Sequence, residues 1–257
     1  MKHEEISMPT LDINCDMGES FGAWRMGDDA AILRHVTSAN IACGFHAGDP
    51  DVMLATVRAA ANAGVAVGAH PGLPDLQGFG RRAMAMTAAE VYALTVYQVG
   101  AMLGVTRAVG VPLHHVKTHG ALYNMTARDA VLATAVADAV RAVAPDVLVY
   151  VANANMAAAA HAAGLRVANE VYADRSYQDD ATLTPRSMPH AMIEDVEASI
   201  AQVRRMVLDG SVQALSGRSV PIVADTLCIH GDQPGAVLFA ERIRNALSAD
   251  GVAVQPL

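Results

Sequence analysis

The chain has 257 residues, of which 53% are hydrophobic, 17% charged and 4% aromatic, enough apolar material for a sizeable core and too much for a disordered chain. Lys and Arg number 18 against 26 Asp and Glu, a formal net charge of -8 spread along the sequence, so no basic stripe for nucleic acid or an anionic membrane surface is visible. Mean hydropathy is positive, +0.26, yet no uninterrupted apolar run approaches the ~20 residues that cross a bilayer.

The opening MKHEEISMPT carries acids and no apolar stretch, so it does not read as a signal peptide. Residues 1–10 are expected to form a flexible N-terminal extension to a single domain over 1–257. Cys15, Cys43 and Cys228 are odd in number and widely spaced, which fits neither a disulfide framework nor a zinc-binding spacing and suits a reducing cytoplasm.

Short apolar runs then recur along the chain: 11–16, 38–43, 65–70, 114–119, 147–152, 166–173 and 223–230. Each reads as a strand, with helical stretches between. Thr87-Ala-Ala-Glu90 is a capping box that opens a helix running to about Ala108, and Gly110 ends it. Gly64 and Gly164 stand in equivalent places, after alanine-rich helices and before strands. Successive βα units in one series predict a parallel sheet with helices outside. The expected fold class is α/β, a closed or nearly closed seven-stranded βα barrel. No strand–GxGxxG–helix unit and no GxxxxGK[ST] loop is present. Two long connections, 71–84 and 172–190, both follow strands, on the side where βα barrels carry their active sites.

Taking each strand with a period of two collects polar residues at one end. Asp12, Asn14 and Asp16 share a face of the first strand, and Asn40, Gly44 and His46 share one if the second stays extended through Gly44. Gly68 and His70 follow on the third, and His115, Lys117 and His119 on the fourth. Glu170 and Asp174 lie on or after the sixth, and His230 and Asp232 close the seventh. Ionisable groups at so many strand ends are costly for a mere core and point to a site. Carboxylates and imidazoles together can hold a divalent ion or act directly as acid and base. Lys117, among histidines, is expected to have a lowered pKa suited to a general base or a proton donor. The loop QGFGRR supplies Arg81 and Arg82 for a carboxylate or phosphate, or forms a turn with solvated arginines. His35, His161 and His190 lie in helical or loop contexts and are expected to play no part.

At these residues the sequence resembles the LamB/YcsF family, on DINCDMGESFGAWRMGDD (12–29), SANIACGFHAGDP (38–50), GAHPGLPDLQGFGRR (68–82), KTHGALYN (117–124), ADRSY (173–177) and ADTLCIHGD (224–232). The resemblance covers nearly the whole chain. Two departures stand out: Thr118 where the family motif reads Lys-Pro-His-Gly, and Ala181 where glycine is commoner.

The resemblance implies a barrel akin to the glycoside hydrolase/deacetylase group. It also implies ATP-dependent hydrolysis of 5-oxo-L-proline (pyroglutamate) to L-glutamate, carried out with two partner subunits, B and C. ATP, with Mg, is then a co-substrate, and its reliance on partners accounts for the missing nucleotide motif. Assembly with further copies of the chain is compatible with this. By analogy with YdjC-like deacetylases, Asp16, His70 and His119 are candidates to hold a metal. In the mechanism so implied, Asp16, His46 and His119 position or deprotonate water, and Lys117 assists the ring nitrogen or the oxyanion. Arg81 or Arg82 holds the substrate carboxylate. Glu170 joins the catalytic set, and Asn14, Asp174, Arg175 and His230 line the substrate. A stand-alone metal-dependent deacetylase or amidohydrolase, and a non-catalytic protein that only binds 5-oxoproline, are the alternatives.

Overall fold

The computed structural model describes residues 8–231 and 235–257. In chain order the elements are β1 (Thr10–Met17), α1 (Asp29–Ile32), β2 (Ser38–Ala42), α2 (Pro50–Asn62), β3 (Ala66–His70), α3 (Ala88–Val109), β4 (Leu113–Val116), α4 (Gly120–Arg128) and α5 (Ala130–Val143). They continue with β5 (Leu148–Val151), α6 (Ala154–Ala162), β6 (Arg166–Tyr172), α7 (Val196–Leu208), β7 (Ser211–Gln213), β8 (Ser219–Pro221), β9 (Thr226–Ile229), α8 (Ala236–Ala249) and β10 (Ala253–Val254). All seven expected strands are present as β1–β6 and β9. They run parallel, and because β1 pairs with both β2 and β9 while β9 also pairs with β6, the barrel is closed. The sequence did not signal the antiparallel β7–β8 hairpin or β10, which extends β1 from outside the ring. Strand β1 begins at Thr10, and residues 1–7 of the expected extension lie outside the described residues.

The helix signals act as their chemistry dictates. Thr87 Oγ1 accepts from Glu90 N while the Glu90 carboxylate accepts from Thr87 N at 2.7 Å, closing the capping box of α3. Gly110 at φ 86 then ends that helix in the left-handed region. Helix α3 is long and apolar enough by composition to cross a membrane, with a third of that window buried. The buried side chains, Val91, Leu94, Val99 and Met102 among them, recur at helical spacing and face the barrel wall and α5.

Alternation along β1 sets the two layers. Ile13, Cys15 and Met17 are buried among the hydrophobic core side chains, while Asp12, Asn14 and Asp16 make their bonds across the barrel interior. That interior is polar from end to end. At its base the Asp12 carboxylate accepts from Thr37 Oγ1 (2.5 Å), Ser38 Oγ (2.7 Å), Tyr150 Oη (2.9 Å) and Thr226 Oγ1 (2.5 Å). One step up, Asn14 Oδ1 accepts from Asn40 Nδ2 (2.7 Å), and Asn14 Nδ2 donates to Thr226 Oγ1 (2.7 Å). His115 stacks on Tyr150 with ring centroids 4.1 Å apart, and its Nε2 donates to Asn40 Oδ1 at 2.7 Å. A Cβ on Gly68 would fall 2.1 Å from that same Nε2, so only glycine on β3 leaves room for the imidazole. Strand periodicity groups His115 with Lys117 and His119. It shares their face but lies deeper, in the architectural part of the barrel.

Cys15, Cys43 and Cys228 are buried free thiols, in line with the expectation that they form no disulfide framework.

Candidate active site

At the carboxyl ends of the strands the polar interior becomes charged. Lys117, just past β4, is 2% exposed, and its ammonium lies 3.1 Å from Asp16 Oδ1 and 2.7 Å from Glu170 Oε1. It also donates to Asn14 Oδ1 (3.2 Å) and contacts Cys228 Sγ (3.1 Å). Burial by itself would lower its pKa. The charge field of Asp16, with Cys228 and Glu170, overcomes this and lifts it well above the usual lysine value. The sequence-based expectation of a lowered pKa is therefore reversed: its partners are carboxylates on β1 and β6, so Lys117 is a fixed ammonium and not a base. Glu170 is clamped in turn, its Oε2 accepting from Tyr172 Oη (2.8 Å) and Tyr123 Oη (3.2 Å). Burial works against ionised Asp16, but His70 and Lys117 outweigh it and hold the carboxyl well below the ordinary range.

Three imidazoles stand beside this pair. His70 Nε2 lies 3.2 Å from Asp16 Oδ2 and 3.0 Å from His119 Nδ1. The outer nitrogens of both rings face backbone carbonyls, His70 Nδ1 toward Lys117 O (2.7 Å) and His119 Nε2 toward Phe79 O (2.8 Å). His46 stacks face to face on His119, centroids 3.7 Å apart, with its Nε2 3.4 Å from Glu19 Oε1. Burial depresses His119 to about 3, with a further push from His70. Burial followed by the His119 and His70 charges puts His46 well below its usual value. Both rings are neutral at neutral pH. His46 reaches the site by a different path from the one its spacing implied. Strand β2 stops at Ala42, Gly44 turns with φ 86, and the following bend carries the ring over the mouth. Gly72 admits it, since a Cβ there would sit 2.5 Å from His46 Nδ1.

These groups border a cavity of about 210 Å³ whose lining includes Asp16, His70, Arg81, Lys117, His119 and Tyr123, together with Tyr172, Arg175, Arg186 and His230. Both long connections contribute, as expected of the segments that follow β3 and β6. Arg81 lines the cavity with its guanidinium 4.9 Å from the Phe79 ring centre. Arg82 does not: it pairs with Asp75 and its side chain is 64% exposed, fixing its own loop. Arg175 lines the cavity but spends its guanidinium on Thr184 O (2.6 Å) and Ala191 O (3.3 Å), holding the 172–190 connection together. That connection is further tied by Gln202 Nε2, which donates to Tyr172 O (3.1 Å) and Arg175 O (2.9 Å). Asp174 Oδ2 pairs with His230 Nδ1 at 2.6 Å. Asn14, expected on the substrate, is fully buried beneath Lys117 and orients its ammonium. Asp232 lies outside the described residues.

The sequence reading passed over Glu19, Tyr123, Tyr172 and Arg186. Glu19, three residues past Asp16, lies beyond the end of β1 where a period of two no longer applies. Its carboxylate oxygen, with one nitrogen from each of His46, His70 and His119, forms a buried group of four donor atoms all within 4.8 Å of one another. That set shares His70 and His119 with the metal ligands expected from the sequence and has Glu19 as its carboxylate, while Asp16 lies beside it, 3.2 Å from His70 Nε2. Tyr123 follows His119 by one helical turn of α4, a spacing that the sequence did show.

The model of the LamB/YcsF family matches residues 11–257. The chain is 70% identical to the second of two 5-oxoprolinase A components of Bordetella bronchiseptica, over 96% of its own length and 99% of that protein. It is 54% identical to the 5-oxoprolinase A component of Bacillus subtilis, covering 95% of each. Among solved structures, the lactam utilization protein of Thermus thermophilus superimposes with a TM-score of 0.93 at 48% identity, over 96% of this chain and all of that one. The chain belongs to the LamB/YcsF family.

Proposed function

We propose that the chain is the A component of a 5-oxoprolinase and that, together with B and C components, it hydrolyses 5-oxo-L-proline to L-glutamate at the expense of ATP. The names carried by its full-length relatives support this reading. The observation that carries it in the molecule is the Lys117 ammonium, held between two carboxylates at the wall of a cavity of about 210 Å³. That is below the ~300–1,000 Å³ of sites for larger ligands and suits one small ring. A five-membered lactam is an unreactive amide, which makes coupling to ATP chemically sensible.

Transfer of the γ-phosphoryl group to the lactam oxygen, with loss of the N–H proton, gives an electrophilic imidate phosphate. Water adds to the ring carbon and the C–N bond breaks as its nitrogen gains a proton. The resulting acyl phosphate then yields glutamate and phosphate with a second water. Lys117 is placed to stabilise negative charge on the lactam oxygen in a dry site, where such a fixed charge acts most strongly. Arg81 is placed for the substrate carboxylate. His119, neutral and at the cavity wall, is placed to orient the attacking water beside the lactam carbonyl. Asp16 and Glu170 hold the lysine charged and aimed, and His230, fixed by Asp174, lines the same cavity.

Glutamate release from 5-oxoproline and ATP, measured with the chain alone and with its B and C partners, tests the reading. Release only from the three-component mixture, with one phosphate per glutamate, is the expected result. No release from folded, assembled components overturns it and brings forward the deacetylase alternative.

A further inference from the structure

We infer that Glu19, His46, His70 and His119 form a binding site for one transition-metal ion of the zinc class, with Glu19 and not Asp16 as its carboxylate ligand. Two independent features of the molecule lead here.

The first is the direction of the ring nitrogens. His70 Nδ1 and His119 Nε2 each face a backbone carbonyl at 2.7 and 2.8 Å, an oxygen that can only accept, so both nitrogens carry the hydrogen. In neutral rings the remaining nitrogens, His70 Nε2 and His119 Nδ1, are lone pairs, and they face one another at 3.0 Å. A backbone carbonyl on the outer nitrogen is the usual device that fixes a metal-binding histidine's tautomer and orientation.

The second feature is His46. Its side chain is fully buried, and neither ring nitrogen has a hydrogen-bond partner among the described residues. Burying such a group costs a few kcal/mol unless something meets it. A second proton on His70 would reconcile His70, His119 and Asp16, but it does nothing for His46. One cation at the centre of the four would meet the lone pairs of His70 and His119 and the His46 nitrogen beside Glu19. The stacked His46 and His119 rings would tilt out of parallel to aim at it, and His46 Nδ1 would stay without a partner among the described residues. The known separations between donor atoms, 3.0 Å (His70 to His119), 3.4 Å (His46 to Glu19) and 3.8 Å (His119 to Glu19), straddle the ~3.4 Å edge of a tetrahedron with bonds of ~2.0–2.1 Å. Three imidazoles and a carboxylate suit zinc or cobalt(II) and are a poor set for magnesium, which prefers oxygen. Asp16 stands just outside, bound to Lys117 and Asn40 as well as to His70. Such an ion would supply Lewis acidity beside the cavity, which His70 and His119 line.

Metal uptake is read without substrate, so it stands apart from the lactam hydrolysis proposed above. The full-length chain is stripped with a chelator and titrated with zinc by equilibrium dialysis and elemental analysis. Cobalt(II) is then substituted and its visible ligand-field spectrum recorded. We expect one equivalent bound, a four-coordinate cobalt spectrum, and affinity reduced by ~10²-fold or more in Glu19→Gln and His46→Ala, with Asp16→Asn retaining one equivalent. Absence of stoichiometric uptake by the folded wild-type chain overturns the site, and this needs no variant to fold. Several weak equivalents unchanged in every variant mark adventitious binding and also overturn it. Uptake lost in Asp16→Asn but kept in Glu19→Gln overturns the assignment of the carboxylate.

Discussion

The barrel interior has two tiers built by the same strands, and they treat polar side chains in opposite ways. Asp12 and Asp16 lie four residues apart on one face of β1. At the base, Asp12 is met by four hydroxyl groups, each of which has given up its freedom to one carboxylate. His115, Asn14 and Asn40 complete the network, and Asn14 and Asn40 carry it upward to Lys117 and Asp16. At the mouth, Asp16 is met by an ammonium and an imidazole, and the neighbouring His46 has no hydrogen bond among the described residues. Buried polar groups that are matched define architecture. Those held charged or left unmatched beside a cavity mark where a reaction or a ligand is to be met.

The largest effect that would break this contrast is expected at Lys117. In Lys117→Met the buried Asp16 and Glu170 lose their common counter-charge, and a broken buried pair of this kind costs ~3–5 kcal/mol. Turnover of the assembled enzyme should fall by ~10²-fold or more beyond any loss of folded protein. Normal activity per folded molecule in that variant would remove the mouth from the chemistry. At the base the expectation is the converse: Asp12→Ala should cost ~3–5 kcal/mol in urea denaturation by orphaning several buried hydroxyls. The protein that still folds should keep its KM. A KM that moved with stability would mean that the tiers are not separable.

Arg81 and Arg82 give a finer comparison, between neighbours in one loop. Arg81→Ala should raise the KM for 5-oxoproline by ~10–10²-fold, the worth of a charge-assisted hydrogen bond. Arg82→Ala, which loses only an exposed pair with Asp75, should leave KM within about twofold. Equal effects from both would place the substrate carboxylate elsewhere.

The base also has its own pH signature. Burial, and then the charges of His114 and Lys117, hold His115 neutral, well below the ordinary histidine range. Its folded pKa is thus depressed, so stability is complete above the unfolded value of ~6.5 and is lost as pH falls below it. The expected loss from this group between pH 7 and pH 5.5 is ~1.2 kcal/mol in total, the slope approaching ~1.4 kcal/mol per pH unit only well below 6.5. Denaturation midpoints at pH 7 and pH 5.5 in wild type and His115→Gln check the sign. The variant keeps an amide to offer Asn40 but cannot titrate, and its loss over that interval should be smaller by that amount. An unchanged slope would show that His115 is protonated in the folded barrel.

How much of this was legible in the sequence depends on which physical rule governed each residue. Recurring short apolar runs located all seven barrel strands, and period-two alternation put Asp12, Asn14 and Asp16 on one face, because a closed barrel buries its inner face regardless of loop detail. The same rule gives a face but no depth. It grouped His115 with Lys117 and His119, although each step of two residues along β4 is also a step up the barrel axis, which leaves His115 at the base and carries the others past the strand's end to the mouth. Beyond the strand ends the rule is silent, so Glu19 was missed, and His46 was placed by an extension that Gly44 in fact turns. Sequence neighbours also misled on charge: Lys117 is flanked by histidines in the chain, but its field comes from Asp16 and Glu170 on other strands.

The smallest expected effect concerns a departure that the sequence did show. Ala181, where the family resemblance led to the expectation of glycine, lies in the 172–190 connection at φ 62. A left-handed conformation costs an L-residue ~1–2 kcal/mol. Glycine removes that strain but gives back part of the gain, ~0.5–1 kcal/mol, in the flexibility of the unfolded chain. Ala181→Gly should therefore raise stability by up to ~1 kcal/mol, a shift of a few degrees or less in Tm for a domain of this size. The bonds of Arg175 to Thr184 and Ala191 and of Gln202 to the loop's start already tie this connection down. Catalytic constants should accordingly stay unchanged. A rise in KM on relaxing this one residue would mean that the strained turn, and not those anchors, sets the position of the cavity lining that this connection supplies.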